Sequence, residues 1–130
     1  MLKPQVVIFH EDDIDRIIHE CLVYPHCKIM VAVRNNKIKD ITSMFFGHIG
    51  QKVLARPIKI SDNHVQIIFT NGANLSIVGN TDPLCGCRVS KIYCSPDTTI
   101  EAYFYTFLPQ LFNYKYISRN IKAKEVKNEI

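Results

Sequence analysis

Residues 28–33 read KIMVAV, one lysine followed by five apolar residues with nothing polar among them to face water. A strand with one solvated face alternates apolar and polar side chains. A strand covered on both faces carries an unbroken apolar run like this one, and such strands belong to parallel sheets with helices on their faces. The flanking sequence supplies the helices. In EDDIDRIIHECLVYP, Ile14, Ile17, Ile18, Cys21 and Leu22 recur at the spacing of one helical face, with acidic residues in the first turn where the helix dipole favours them. In NNKIKDITSMFFGHIG, Ile38, Ile41 and Phe45 repeat the pattern, with Asn available as a cap and Gly47 or Gly50 as a stop. The short apolar run QVVIF ahead of the first helix completes an order of strand, helix, strand, helix.

The middle of the chain has another rhythm. ARPIKIS, HVQIIFT and NLSIVG are short segments with partial alternation, and NGAN between the last two is a hairpin signal, because Asn and Gly tolerate positive φ. A polar loop, NTDPLCGCR, leads to another short strand, VSKIYC. In SPDTTIEAYFYTFLPQLF, Thr98 and Glu101 have the spacing of a capping box ahead of Ile100, Tyr103, Phe104, Phe107, Leu108 and Leu111 at helical intervals. YKYISRN reads as a last strand. The expected fold is α/β, a small three-layer sandwich with a mostly parallel sheet and an antiparallel hairpin addition, spanning residues 1–120 and followed by a polar tail at 121–130.

With 130 residues and 47% hydrophobic content the chain is one domain, and no apolar run is long enough to cross a bilayer. No secretory leader pattern opens it, so the expected location is cytoplasmic. Sixteen Lys and Arg against 12 Asp and Glu give a charge of +4, which permits nucleic-acid contact without requiring it. The best residues for such contact are Arg34, Asn35 and Lys37, just after the carboxyl end of KIMVAV, the edge where open α/β sheets meet ligands. Five cysteines, an odd number mostly inside apolar elements, suit buried thiols better than a disulfide framework. A zinc site drawn from His26, Cys27, Cys85 and Cys87 has one residue between the last two cysteines where zinc pairs usually have two, so no metal is expected.

The order of these motifs resembles the ATPase core of viral and phage terminase large subunits and helicase-like P-loop NTPases. The likeness runs over residues 5–120, and VQIIFTNGANLSIVG followed by DPLCGCRVSKI is its most specific part. It implies a nucleotide-binding architecture, but the chemistry departs from it at two places. A phosphate loop needs glycines, a Lys and a Ser or Thr hydroxyl between the first strand and helix. Here only His10, Glu11, Asp12 and Asp13 stand between Phe9 and Ile14. After VSKIYC, where the resemblance implies a magnesium-binding Asp and a catalytic Glu, the chain has Ser95 and Pro96.

The expectation is therefore a non-catalytic NTPase-like binding or regulatory protein, viral in origin by the resemblance, working through a protein partner or a second copy of itself and needing no cofactor. Tyr103, Tyr105, Phe112, Tyr114 and Tyr116 are candidate interface anchors, as aromatic residues beyond those one helix face and one strand face bury. A nucleic-acid-binding module is the alternative. A metal-dependent nuclease built on His10, Glu11, Asp12, Asp13, Asp15, His19 and Glu20 is a third reading, weakened because acids at a helix N-terminus have a simpler electrostatic explanation.

Overall fold

The computed structural model describes residues 2–49, 55–61, 63–80, 89–99, 102 and 107–111, with the backbone alone for 55–60 and 108. The aromatic residues Tyr103, Tyr105, Phe112, Tyr114 and Tyr116, the cysteines 85 and 87, the expected last strand and the tail at 121–130 lie outside the described residues.

Six strands form one sheet: β1 (Gln5–Ile8), β2 (Lys28–Val33), β3 (Ala55–Ser61), β4 (His64–Phe69), β5 (Asn74–Gly79) and β6 (Lys91–Cys94), in the spatial order β1-β6-β2-β5-β4-β3. The first four in that order are parallel, and β4 and β3 are added antiparallel, with a register shift between Lys59 and Ser61. Helix α1 (Ile14–Val23) links β1 to β2, and α2 (Ile38–Ile49) links β2 to β3. Because β1 and β2 are not neighbours, a slot remains between them, and β6 fills it.

Both helices pack on one face of the sheet. Ile14, Ile17, Ile18, Ile41 and Phe45 meet Ile29, Val31, Val33, Leu75, Ile77 and Tyr93 there. The alternate residues Met30, Ala32, Val78, Ile92 and Cys94 face the other way and pack with Val89, Phe107 and Leu111. KIMVAV thus feeds two cores, as its unbroken apolar run requires.

Three local details differ from the sequence expectation. Leu22 is 44% exposed, and Glu20 is buried instead. Asn35 does not cap α2 with its side chain; residues Asn35–Lys37 form a short 3-10 turn that leads into the helix, which continues through Gly47 to Ile49. At the start of the expected last helix, the hydroxyl of Thr99 rather than Thr98 accepts a hydrogen bond from the N–H of Ala102, at 3.1 Å.

The NGAN hairpin forms between β4 and β5 and does more than turn the chain. Asn71 Nδ2 donates to the carbonyls of Cys21 (2.8 Å) and Leu22 (3.3 Å), satisfying acceptors that the end of α1 would otherwise leave open. Gly72 has φ +88°, and a side chain there would overlap the His26 ring, so this position requires glycine.

Glu20 reaches from α1 to the sheet. Lys91 Nζ donates to Glu20 Oε2 at 2.8 Å, and the Tyr93 hydroxyl donates to Glu20 Oε1. The ammonium also lies 4.7 Å from the Tyr93 ring centroid. Burial, followed by the bond to Glu20, pushes the Tyr93 hydroxyl well above its usual pKa.

Candidate functional site

The carboxyl ends of the four parallel strands are held level by backbone bonds that continue past them: Phe9 N to Cys94 O (2.7 Å), Ser95 N to Ala32 O (2.9 Å) and Asn80 N to Val33 O (2.8 Å). From this edge β1 and β2 send the chain to helices on one face, while the segment after β6 reaches Ala102 and Phe107 on the other. Diverging exits leave a crevice, which is where open α/β sheets place their ligands. An open cleft of about 400 Å³ lies there.

Its floor is apolar, made by Phe9, Val33 and Ile41, all buried. One rim is the join between β1 and α1, presenting His10 and Glu11. The opposite rim is the turn after β2, presenting Arg34 and Lys37, and Ser95, Pro96 and Asp97 close the third side.

The join is built as an acidic cap. Residues Glu11–Asp13 form a 3-10 turn, the N–H of Asp13 bonds to the carbonyl of His10 at 2.9 Å, and the N–H of His10 donates to Asp13 Oδ2 at 3.0 Å. That amide is therefore already satisfied by a carboxylate. Asp13 also faces Arg16 at 3.8 Å, while Glu11 and Asp12 are exposed.

The basic rim is organised by a chain of hydrogen bonds across three strand ends. Asn80 Nδ2 donates to Ser95 Oγ at 2.9 Å and reaches Asp97 Oδ1 at 3.5 Å. Arg34 Nε donates to Asp97 Oδ2 at 2.8 Å. The Ser95 hydroxyl first, and Arg34 second, pull the Asp97 carboxyl down to about 2, so it is ionised at neutral pH. Asn35, by contrast, lies against Gly79, where a Cβ would overlap its side-chain amide.

The structure thus brings Arg34 and Lys37 together with His10 and Glu11 around one cleft, and separates Asn35 from them. Ser95 and Asp97 join the site, although the sequence marked Ser95 only as a departure from the resembling family. The acids proposed for a nuclease do not converge: Asp15 pairs with His48 at 2.7 Å, Asp13 caps the turn, and Glu20 is buried under α1. His26 is exposed, whereas Cys27 is buried with its thiol directed to the Glu20 carbonyl at 3.8 Å. Among the described residues no three His, Cys, Asp or Glu side chains are grouped to hold a metal ion. No described helix is long and apolar enough to cross a membrane.

Comparison with protein-family models, curated proteins and solved structures returned no match to this chain.

Proposed function

We propose that this chain is a non-catalytic binding protein of NTPase-like architecture, which presents the cleft at the carboxyl edge of its parallel sheet to a protein partner. One observation carries the reading: at the join after β1, where a nucleotide-binding relative would offer amides to a phosphate, the His10 N–H already bonds the Asp13 carboxylate, and Glu11 and Asp12 stand beside it. A triphosphate entering here would meet like charge at the position where it needs donors. Hydrolysis lacks its parts as well. Ser95 stands where the resemblance implies a magnesium ligand, and Asp97 is engaged by Ser95 and Arg34.

The test is calorimetric titration of the full chain with MgATP. No heat of binding and no phosphate release are expected; micromolar affinity would overturn the reading. Arg34 and Lys37, both exposed beside the cleft, favour nucleic acid as a second reading. Two phosphate contacts would give a salt slope of about −1.8 in log K against log salt for duplex DNA. Absence of DNA binding at low salt would remove it.

A further inference from the structure

The cleft carries an exposed arginine, paired with Asp97 through one of its nitrogens, whose binding capacity is only partly used. Arg34 Nε donates to Asp97 Oδ2 at 2.8 Å, and Asn80 Nδ2 reaches Ser95 Oγ at 2.9 Å and Asp97 Oδ1 at 3.5 Å. The two terminal amino groups of Arg34 have no partner among the described residues, and neither does the Lys37 ammonium on the same rim. An arginine held at Nε and free at its fork is set for a planar, bidentate acceptor. Below it lies the apolar floor of Phe9, Val33 and Ile41, and across from it stands Glu11.

Charge limits the class of anion. Two cationic side chains, Arg34 and Lys37, stand with two carboxylates, Asp97 and Glu11, in the lining, so these four charges cancel. One negative charge added beside the arginine is compensated locally, whereas several would repel Glu11 and Asp97. A cavity of about 400 Å³ also asks for apolar volume beneath the anion, since an anion alone would leave the floor wet.

We infer that the cleft takes a single carboxylate carried next to an apolar side chain, with the carboxylate on Arg34 and Lys37 and the side chain on Phe9, Val33 and Ile41. This rests on the proposed binding role of the cleft and names the chemistry it recognises. The same group occurs at the C-terminal residue of a polypeptide and in a free apolar amino acid, and the two differ in the α-nitrogen, which is an amide in one and an ammonium facing Glu11 in the other.

The experiment titrates the full chain with N-acetyl-L-leucine, N-acetyl-L-leucinamide, L-leucine, inorganic phosphate and MgATP. The carboxylate form is expected to bind at least about tenfold more tightly than its amide, a difference of about 1.4 kcal/mol. Arg34→Gln and Lys37→Gln should each weaken it by about tenfold with the fold unchanged. Asp97→Asn gives the most discriminating result. It removes a negative charge near the ligand, which would strengthen anion binding if charge alone mattered, but it also replaces the charge-assisted bond to Arg34 by a weaker neutral one, so weaker binding is expected. Preference for N-acetyl-leucine over leucine assigns the site to a polypeptide C-terminus, and the reverse assigns it to a free amino acid. Equal binding of acid and amide, no binding at millimolar concentration, tighter binding of phosphate, or tighter binding by Asp97→Asn overturns the inference. Binding of MgATP would overturn the proposed function as well, so the two failures are distinguishable.

Discussion

Replacing Glu20 by Leu removes the acceptor that joins α1 to β6. Glu20 and Lys91 are 8% and 5% exposed, so neither regains water by a small movement when the other is lost. Glu20→Leu would leave an ammonium and a phenolic hydroxyl in the core without their acceptor. Breaking a buried pair by deleting one partner costs about 3–5 kcal/mol, and an orphaned hydroxyl adds about 1–3 kcal/mol. The contact of Lys91 with the Tyr93 ring is present with or without Glu20 and so offsets none of this. The expected loss, taken at the lower end of these two terms together, is about 4 kcal/mol, a large part of the roughly 5–15 kcal/mol available to a domain.

Urea unfolding followed by circular dichroism measures it. With a slope of about 2 kcal/mol/M, the midpoint should fall by about 2 M. The triple variant Glu20→Leu, Lys91→Met, Tyr93→Phe separates desolvation from packing, because it removes the charges and the hydroxyl together. It should unfold within about 1 kcal/mol of the original chain or be more stable. A loss below about 1 kcal/mol for Glu20→Leu alone would mean that water reaches Lys91, and the argument from burial would fail.

Three further outcomes are expected. Gly72→Ala should destabilise the chain by about 2 kcal/mol, since it adds a side chain at positive φ against the His26 ring, and His26→Ala in the same chain should restore the steric part, as read by thermal unfolding. His64 is 5% exposed with neither ring nitrogen hydrogen-bonded among the described residues, and burial depresses its pKa below 6.5. The unfolded chain therefore binds this proton first: stability is full above pH 6.5 and falls as pH drops toward the folded value, by at most about 1.4 kcal/mol per pH unit. His64→Leu should abolish that slope in unfolding curves taken from pH 7 to 5. Asp12→Lys, at an exposed position, should leave the unfolding midpoint within about 0.5 kcal/mol, while Asp13→Lys should cost about 1 kcal/mol by losing the bond to the His10 N–H; equal effects would refute the capping role.

The elements that were legible in the sequence are those with one strong physical signal. KIMVAV announced a strand buried on both faces, the isoleucines of α1 and α2 marked their inner stripes, and the Asn71–Gly72 pair marked the hairpin. Boundaries were less legible, because a cap depends on which side chain reaches the first amides: Thr99 does so where Thr98 had the better spacing. Glu20 entered the sequence reading only among the acids of a possible nuclease site and not as a core residue, because local periodicity places it near the flank of the α1 stripe. The available signal was on the other partner. Lys91 sits in KIYC, a run otherwise fit for a central strand, and a lysine there needs a buried acid. The site was half legible, since Arg34 and Lys37 follow the carboxyl end of a parallel strand, and that edge is where ligands meet such sheets. Asp97 and Asn80 were not, because the chain that orients Arg34 joins residues 63 and 17 positions apart.

The cleft itself follows from topology rather than from any one of its residues. β6 enters the slot between β1 and β2, and the chain then leaves it toward the face opposite α1 and α2. With that exit pattern, a crevice opens above Phe9, Val33 and Ile41 whether or not a phosphate loop is present. The residues at the strand ends then decide what can enter. In this chain they place carboxylates at the β1 join, where phosphate would need amides, and an arginine at the β2 join whose terminal amino groups are unpaired among the described residues. Moving the acids of Glu11–Asp13 alone would not create a phosphate-binding loop, since glycines, a lysine and a magnesium ligand would also be needed after β1 and β6. Changing Arg34, by contrast, would remove the cleft's oriented donor in one step, which makes Arg34 the position at which binding at this edge is most economically tested.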